Sequence, residues 1–133
     1  MLDGISSALS GLSAAVHRLE ISASNVANAS SDGSIPASDA AERRDAYQPR
    51  RVEQSSTADG GTATSDRLVR PSYIPVFDTG SPFADSSGQV AAPNVDIAEE
   101  FTEEIGARQS IEANLKSIKS MSDLVKKLYD LPE

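Results

Sequence analysis

The chain has 133 residues, 38% hydrophobic and only 5% aromatic, with no Trp and no Cys, and carries a formal charge of −8 from 12 basic and 20 acidic side chains. That length is one domain's worth or one elongated subunit, and the low aromatic content argues against a large self-contained core. The acidic balance argues against nucleic acid, which is held by neutralising phosphates with Lys and Arg, and the missing thiols rule out a disulfide framework or a thiolate metal site.

Apolar residues fall at Leu2, Ile5, Leu9, Leu12, Val16, Leu19, Ala23 and Val26, a sustained 3,4 spacing that predicts a heptad seam on an N-terminal helix. Between residues 1 and 31 only Asp3, Arg18 and Glu20 are charged, and the other faces are Ser, Ala and Gly. A helix meant for water carries mixed charge, whereas small uncharged residues let other backbones approach, so contact on several sides is expected. The seam continues through the tract SASNVANASSDG at residues 22–33. Asn25 and Asn28 are therefore expected in the final turns, on one side, where amides can satisfy backbone carbonyls or a neighbouring chain, with a plain helix stop as the other reading. Asp32-Gly33 is the turn that follows.

The middle, residues 29–94, is rich in Ser, Asp, Gly, Pro and Thr, with a second turn signal at Asp59-Gly60-Gly61. Strand-like runs at Ala46 to Gln54 and Leu68 to Phe77 are demoted to edge strands or extended arms by Pro49, Pro71 and Pro75. Arg43-Arg44 and Arg50-Arg51 read as solvated basic pairs, with an acidic neighbour in an assembly as the other reading.

A second helix is predicted from about Val95 to about Leu128, on the order of 50 Å long. Its stripe includes Ile97, Phe101, Ile105, Ile111, Leu115, Ile118, Met121, Val125 and Leu128. Asp96, Glu99, Glu100, Glu103 and Glu104 fill its first turns and Lys116, Lys119, Lys126 and Lys127 its last ones, opposing the backbone dipole at both ends. Glu112 with Lys116 and Asp123 with Lys127 are expected i,i+4 pairs.

Candidates for chemistry are sparse. His17 is the single histidine and reads as a surface or interface residue; the acidic run at residues 96–104 lacks the loop spacing and turn glycine of a calcium site. No phosphate loop, nucleophile elbow or His-carboxylate spacing occurs, so neither an active site nor a cofactor or metal is expected. There is no basic region followed by an apolar run, and no stretch approaches about 18 apolar residues, so no cleavable signal and no membrane span are expected. On that ground alone the chain reads as soluble and cytoplasmic.

Two motifs point to a family. Ala23-Ser24-Asn25-Val26-Ala27-Asn28 resembles the Asn-x-Ala-Asn signature closing the first helix of flagellar rod and hook axial proteins. The run Gly80-Ser81-Pro82-Phe83-Ala84-Asp85-Ser86-Ser87-Gly88-Gln89-Val90-Ala91-Ala92-Pro93-Asn94-Val95-Asp96 is similar to the G-x-P-x-A-D-x-x-G-x-V-x-x-P-N-V-D run of the FlgC family of proximal rod proteins. Glu100 and Ala113-Asn114 fall where that family has its Glu and Ala-Asn. The resemblance covers roughly residues 5–30 and 80–130. One departure is that Ile111-Glu112 stand in place of the Tyr-Gln of a common Arg-x-Tyr-Gln-Ala-Asn sequence, with Arg108 one position early.

The resemblance implies a mainly α fold. Long N- and C-terminal helices pair as an antiparallel coiled-coil-like hairpin around an irregular, partly β middle, divided as residues 1–30, 31–94 and 95–133. It implies a non-enzymatic subunit of the periplasmic rod, assembling with copies of itself, other rod proteins and the membrane-ring/rod junction protein after passage through the flagellar type III export apparatus, which needs no cleavable signal. The expected assembly surface comprises Leu2, Ile5, Leu9, Leu12, Val16, Leu19, Ala23, Asn25, Val26 and Asn28 on the first helix. On the C-terminal side it comprises Pro93, Asn94, Val95, Asp96, Phe101, Ile105, Ile111, Asn114, Leu115, Ile118, Val125 and Leu128. The alternatives are another rod or hook-junction protein, which should lack Pro-Asn-Val-Asp, and a soluble helical adaptor or secreted translocator, which would be fully helical alone.

Overall fold

The computed structural model describes residues 2–36, 39–40, 42, 44–58 and 60–130. Two long helices, α1 (Leu2–Ala27) and α2 (Ile97–Tyr129), flank four short strands, β1 (Arg50–Ser56), β2 (Thr62–Leu68), β3 (Tyr73–Phe77) and β4 (Gln89–Pro93). The strands form two separate antiparallel pairs, β1 with β2 from Arg50↔Leu68 to Ser56↔Thr62, and β3 with β4 from Tyr73↔Pro93 to Phe77↔Gln89.

Helix α1 runs through the small-residue tract to Ala27, and the Asn28 and Ala29 amides close its end on Ser24 and Val26 carbonyls. Helix α2 starts at an N-cap, Asp96, whose extended backbone lets its side chain accept from Ala98 N at 2.9 Å and Glu99 N at 3.1 Å. Of the expected i,i+4 pairs, Lys116 reaches Glu112 at 2.6 Å, while Asp123 and Lys127 form no ion pair among the described residues.

Gly60 and Gly33 illustrate where the chain needs glycine. Gly60 turns the β1–β2 hairpin at φ 77°, a conformation open to glycine at no steric cost; its neighbour Asp59 lies outside the described residues. Gly33 exchanges backbone hydrogen bonds with Ala91 at 2.9 and 2.8 Å, tying the segment after α1 to β4. A Cβ there would run into the backbone of Arg44 and Ala46.

The strand expectations need correction. Ala46 to Pro49 is not strand, and β2 and β4 arise where no strand was expected. Pro75 sits inside β3 and Pro93 ends β4, both tolerated because a two-stranded sheet consists of edges.

The helices meet along a stripe of small residues. Positions for a Cβ on Gly4 and Gly11 lie 3.2 Å from Met121 and 3.0 Å from Asn114, Arg18 meets Glu103 at 2.6 Å, and Ser22 donates to the Glu100 carbonyl at 2.8 Å. As α1 advances, its partners on α2 recede. The buried apolar residues are Ala8, Ala14, Ala15, Ile21, Val90, Ala91 and Ala107, so the interior contains almost no large side chain. The seam of large residues is therefore not what packs inside this chain: Leu9 is 51% exposed and Val16 38%, because the seam lies on the flank of the buried stripe. The stripe predicted on α2 likewise splits. Ile111, Ile118, Met121 and Val125 are half-buried, Met121 against Gly4 of α1, while Ile97, Phe101, Ile105, Leu115 and Leu128 are exposed.

Candidate assembly interface

A polar joint fastens α1, α2 and β1 together. Asn25 is 1% exposed and uses its whole amide: Nδ2 donates to the Arg50 carbonyl and to Glu100 Oε1, each at 2.8 Å, and Oδ1 accepts from Tyr47 Oη at 2.9 Å and Arg50 N at 3.1 Å. A side-chain amide has two donors and an acceptor oxygen with two lone pairs, so nothing is left for a second chain. Ser24 Oγ lies 3.1 Å from the Tyr47 hydroxyl, and Asn28 Nδ2 donates to the Ser24 carbonyl at 2.9 Å. Of the two asparagines expected at an assembly contact, the structure places Asn25 wholly inside the subunit. Glu100, read from the sequence as one of several dipole-opposing acids, is instead 6% exposed and held by Asn25.

A second joint uses the Pro-Asn-Val-Asp residues. Pro93 is buried at the end of β4, Asn94 Nδ2 donates to the Pro71 carbonyl at 2.8 Å, its N–H donates to Ser72 O at 3.0 Å, and Asp96 caps α2. This stretch converts a strand into a helix at a fixed angle. Asn114, another expected contact, lies half-buried opposite Gly11 and donates to the Ser110 carbonyl at 2.8 Å.

Ion pairs bind the hairpin β1–β2 to the helices. Arg51 pairs with Glu99, an interaction that raises the arginine's pKa and holds the carboxyl below the usual glutamate range. Arg50 meets Asp66 at 3.0 Å, so the Arg50-Arg51 pair is engaged within the chain. His17 Nε2 lies 3.0 Å from Asp66 and Nδ1 3.1 Å from Thr64 Oγ1, bridging α1 to β2. Arg44 stacks over Phe83 at 5.6 Å; Arg43 lies outside the described residues. Among the described residues, no group of three or more His, Cys, Asp or Glu gathers as a metal site, and every buried side-chain nitrogen and oxygen has a partner.

Large apolar side chains also stand uncovered along both helices. Leu9 and Val16 on α1, and Phe101, Ile105 (59%), Leu115 and Leu128 on α2, stand exposed in rows. The side chain of Leu2 lies outside the described residues; Ile5, Leu12, Leu19 and Val26 are half-buried, and Ala23 is exposed. Total accessible surface is 8614 Å², against about 6,700 Å² for a compact monomer of this mass.

The family comparisons match the ends of the chain. A family model described as "Flagella basal body rod protein" matches residues 5–33, and one described as "Flagellar basal body rod FlgEFG protein C-terminal" matches residues 86–131. The flagellar basal-body rod protein FlgC of Agrobacterium fabrum is 32% identical over 92% of this chain and 88% of its own length. The chain belongs to the FlgC family of flagellar basal-body rod proteins. FlgC of Yersinia enterocolitica is likewise 32% identical over 92% of this chain and 90% of its own, and FlgC of Salmonella typhimurium 28% over the same shares.

As a FlgC-family chain, it is a structural subunit of the flagellar basal-body rod and serves motility. It assembles with other rod proteins in the basal body, and among the described residues no helix is long and apolar enough to cross a membrane. The two matched segments are those that hold each other: Asn25 reaches Glu100, and Gly33 pairs with Ala91. The FlgC resemblance thus marks, in Asn25, Pro93, Asn94 and Asp96, residues that build the subunit's own joints. Those roles depend on contacts between distant segments, which motif spacing alone does not reveal.

Proposed function

We propose that the chain builds the proximal, periplasmic part of the rod, where its exposed apolar rows are buried against copies of itself, other rod proteins and the membrane-ring/rod junction protein. The observation that carries this reading is the exposure of Leu9 and Val16 on α1 and of Phe101, Ile105, Leu115 and Leu128 on α2: full burial of such a side chain is worth roughly 1.5 to 3 kcal/mol, and the isolated chain leaves part of that energy unused. The finer arrangement is an antiparallel coiled-coil-like helix hairpin, residues 1–30 with 95–133, from which residues 31–94 project as a separate segment. The expected interface includes Ile5, Leu9, Leu12, Val16 and Leu19 on one helix and Phe101, Ile105, Leu115 and Leu128 on the other. The subunit leaves the cell through the flagellar type III export apparatus without a cleavable signal, completes its folding on assembly, and acts mechanically rather than as an enzyme.

The test is the double variant Leu9→Asp/Val16→Asp. Both side chains face outward, so the subunit fold should survive while incorporation fails: cells should be non-motile and purified basal bodies should lack the variant. Motile cells with normal rods built from it would sink the proposal.

A further inference from the structure

The middle segment carries an arginine-lined groove at one end and an acidic loop at the other. At one end, Arg51, Arg67, Leu68, Val69 and Arg70 line an open groove of about 590 Å³. Arg67 uses Nε on Glu53 at 2.7 Å and Arg51 uses Nη2 on Glu99, leaving further guanidinium donors free. The Arg70 guanidinium has no partner among the described residues, and Leu68 beside it is 39% exposed. In a chain of net charge −8, an arginine with no acid of its own beside two more calls for an outside carboxylate.

At the other end, the β3–β4 loop presents acids. Asp78 Oδ1 accepts from Gly80 N at 3.0 Å, Asp85 Oδ1 accepts from Ser87 and Gln89, and Asp39 Oδ1 accepts from Ser86 N at 3.0 Å, which brings Asp39 to the same loop. These contacts leave Oδ2 of Asp78 and of Asp85 for another partner. Ser86 and Ser87 hold Asp39 and Asp85 below the usual aspartate range, so both are charged at neutral pH. Phe77, 70% exposed, sits beside the loop. Strand β3 separates groove from loop by roughly 17 Å, so one copy cannot satisfy itself.

We propose that the Arg51–Arg67–Arg70 groove receives the acidic β3–β4 loop of a second copy, with Arg70 pairing Asp78 and Phe77 covering Leu68. A contact between two different patches of the same chain is heterologous, and when its rotation does not close it propagates a helical array. The inference rests on the rod reading, which supplies the array. Arg–carboxylate pairs add orientation to the apolar helix rows, which slide more easily in register.

The chain has no cysteine, so Arg70→Cys and Asp78→Cys each introduce a sole thiol. The two variants, differently tagged, are co-expressed in flagellated cells, and basal bodies are purified, oxidised and blotted. A disulfide-linked dimer carrying both tags is expected; basal bodies that contain both variants without that dimer overturn the proposal, as does a disulfide to a different rod protein. A second measurement covers poor incorporation of the thiol variants. Arg70→Asp should lower the chain's content in basal bodies by about tenfold, the effect of losing one partner of an interfacial charge pair, and Arg70→Asp/Asp78→Arg should restore it. Failure of that restoration overturns the groove assignment but leaves the rod reading intact; absence of the unsubstituted chain from basal bodies would overturn both.

Discussion

Asn25 on the first helix donates to Glu100 on the second at 2.8 Å, with neither side chain open to water. The same amide holds the backbone of Arg50, so one residue locks two helices and a strand. Asn25→Ala should leave Glu100 and the Arg50 peptide without a protein partner, and destabilise the joint by roughly 2 to 3 kcal/mol, since each orphaned buried polar group costs about 1 to 3. Urea unfolding of the purified chain, followed by circular dichroism, measures it; a loss below about 0.5 kcal/mol would show that the network is ornamental.

That lock was only half legible in the sequence. Asn25 stood out because a buried-looking seam ran past it, yet its partners, Glu100 and Arg50, lie on other elements and carried plainer readings as a dipole acid and a solvated base. The helices themselves were legible because Asp96 and an unbroken 3,4 spacing act locally. Strands β2, TATSDRL, and β4, QVAAP, were not: the first shows no apolar alternation and the second ends in proline. Each becomes a strand by pairing with a neighbour rather than by its own propensity. The 3,4 spacing marks a continuous row along α1, but which row faces inward depends on the small residues beside it, among them Gly4 and Gly11, which face Met121 and Asn114 of α2, and the buried Ala8 and Ala15.

Two glycines facing the opposite helix should respond in opposite directions. A Cβ on Gly106 meets nothing nearer than Arg18 at 3.9 Å, so Gly106→Ala should stabilise by about 0.5 to 1 kcal/mol through helix propensity. A Cβ on Gly11 already lies 3.0 Å from Asn114 Oδ1, and Gly11→Leu should destabilise by roughly 1 to 3 kcal/mol as the helices are forced apart. Thermal melts of the two variants beside the parent chain check both signs, and a stabilised Gly11→Leu would mean that the helices do not pack on this stripe.

Acid should weaken the attachment of β1 to α2. The hydrogen bond from Arg51 lowers the Glu99 pKa from its ordinary 4.5, so folding binds fewer protons there than unfolding. The pair's contribution is complete above about pH 4.5 and is lost as the pH falls through the lower folded value. Both side chains are nearly half exposed, which limits the effect to about 0.5 kcal/mol. Arg51→Gln should therefore lower stability slightly at pH 7 and leave it nearly unchanged at pH 3; equal losses at both pH values would show that Arg51 acts through packing instead.

Stability should also be graded along the helix pair. At the Asn25 end, α1 and α2 are tied by Ser22, Asn25 and the Arg18–Glu103 pair, and the Gly33–Ala91 bridge lies close by. At the far end, Gly4 meets Met121, while Leu9, Leu115, Leu124 and Leu128 stand in water. Segments with few buried apolar contacts open at low free-energy cost. Amide hydrogen exchange of the dilute chain should show residues 20–27 and 97–107 protected, with residues 3–12 and 115–129 exchanging at least tenfold faster, a gap of about 1.4 kcal/mol. Circular dichroism should accordingly register less helix than the 26 residues of α1 and 33 of α2 provide together. In purified basal bodies the slow exchange should extend to both helix ends, because neighbouring subunits cover the apolar rows. Uniform protection in the dilute chain would mean that the subunit finishes folding before it assembles, which is the behaviour expected of a soluble adaptor.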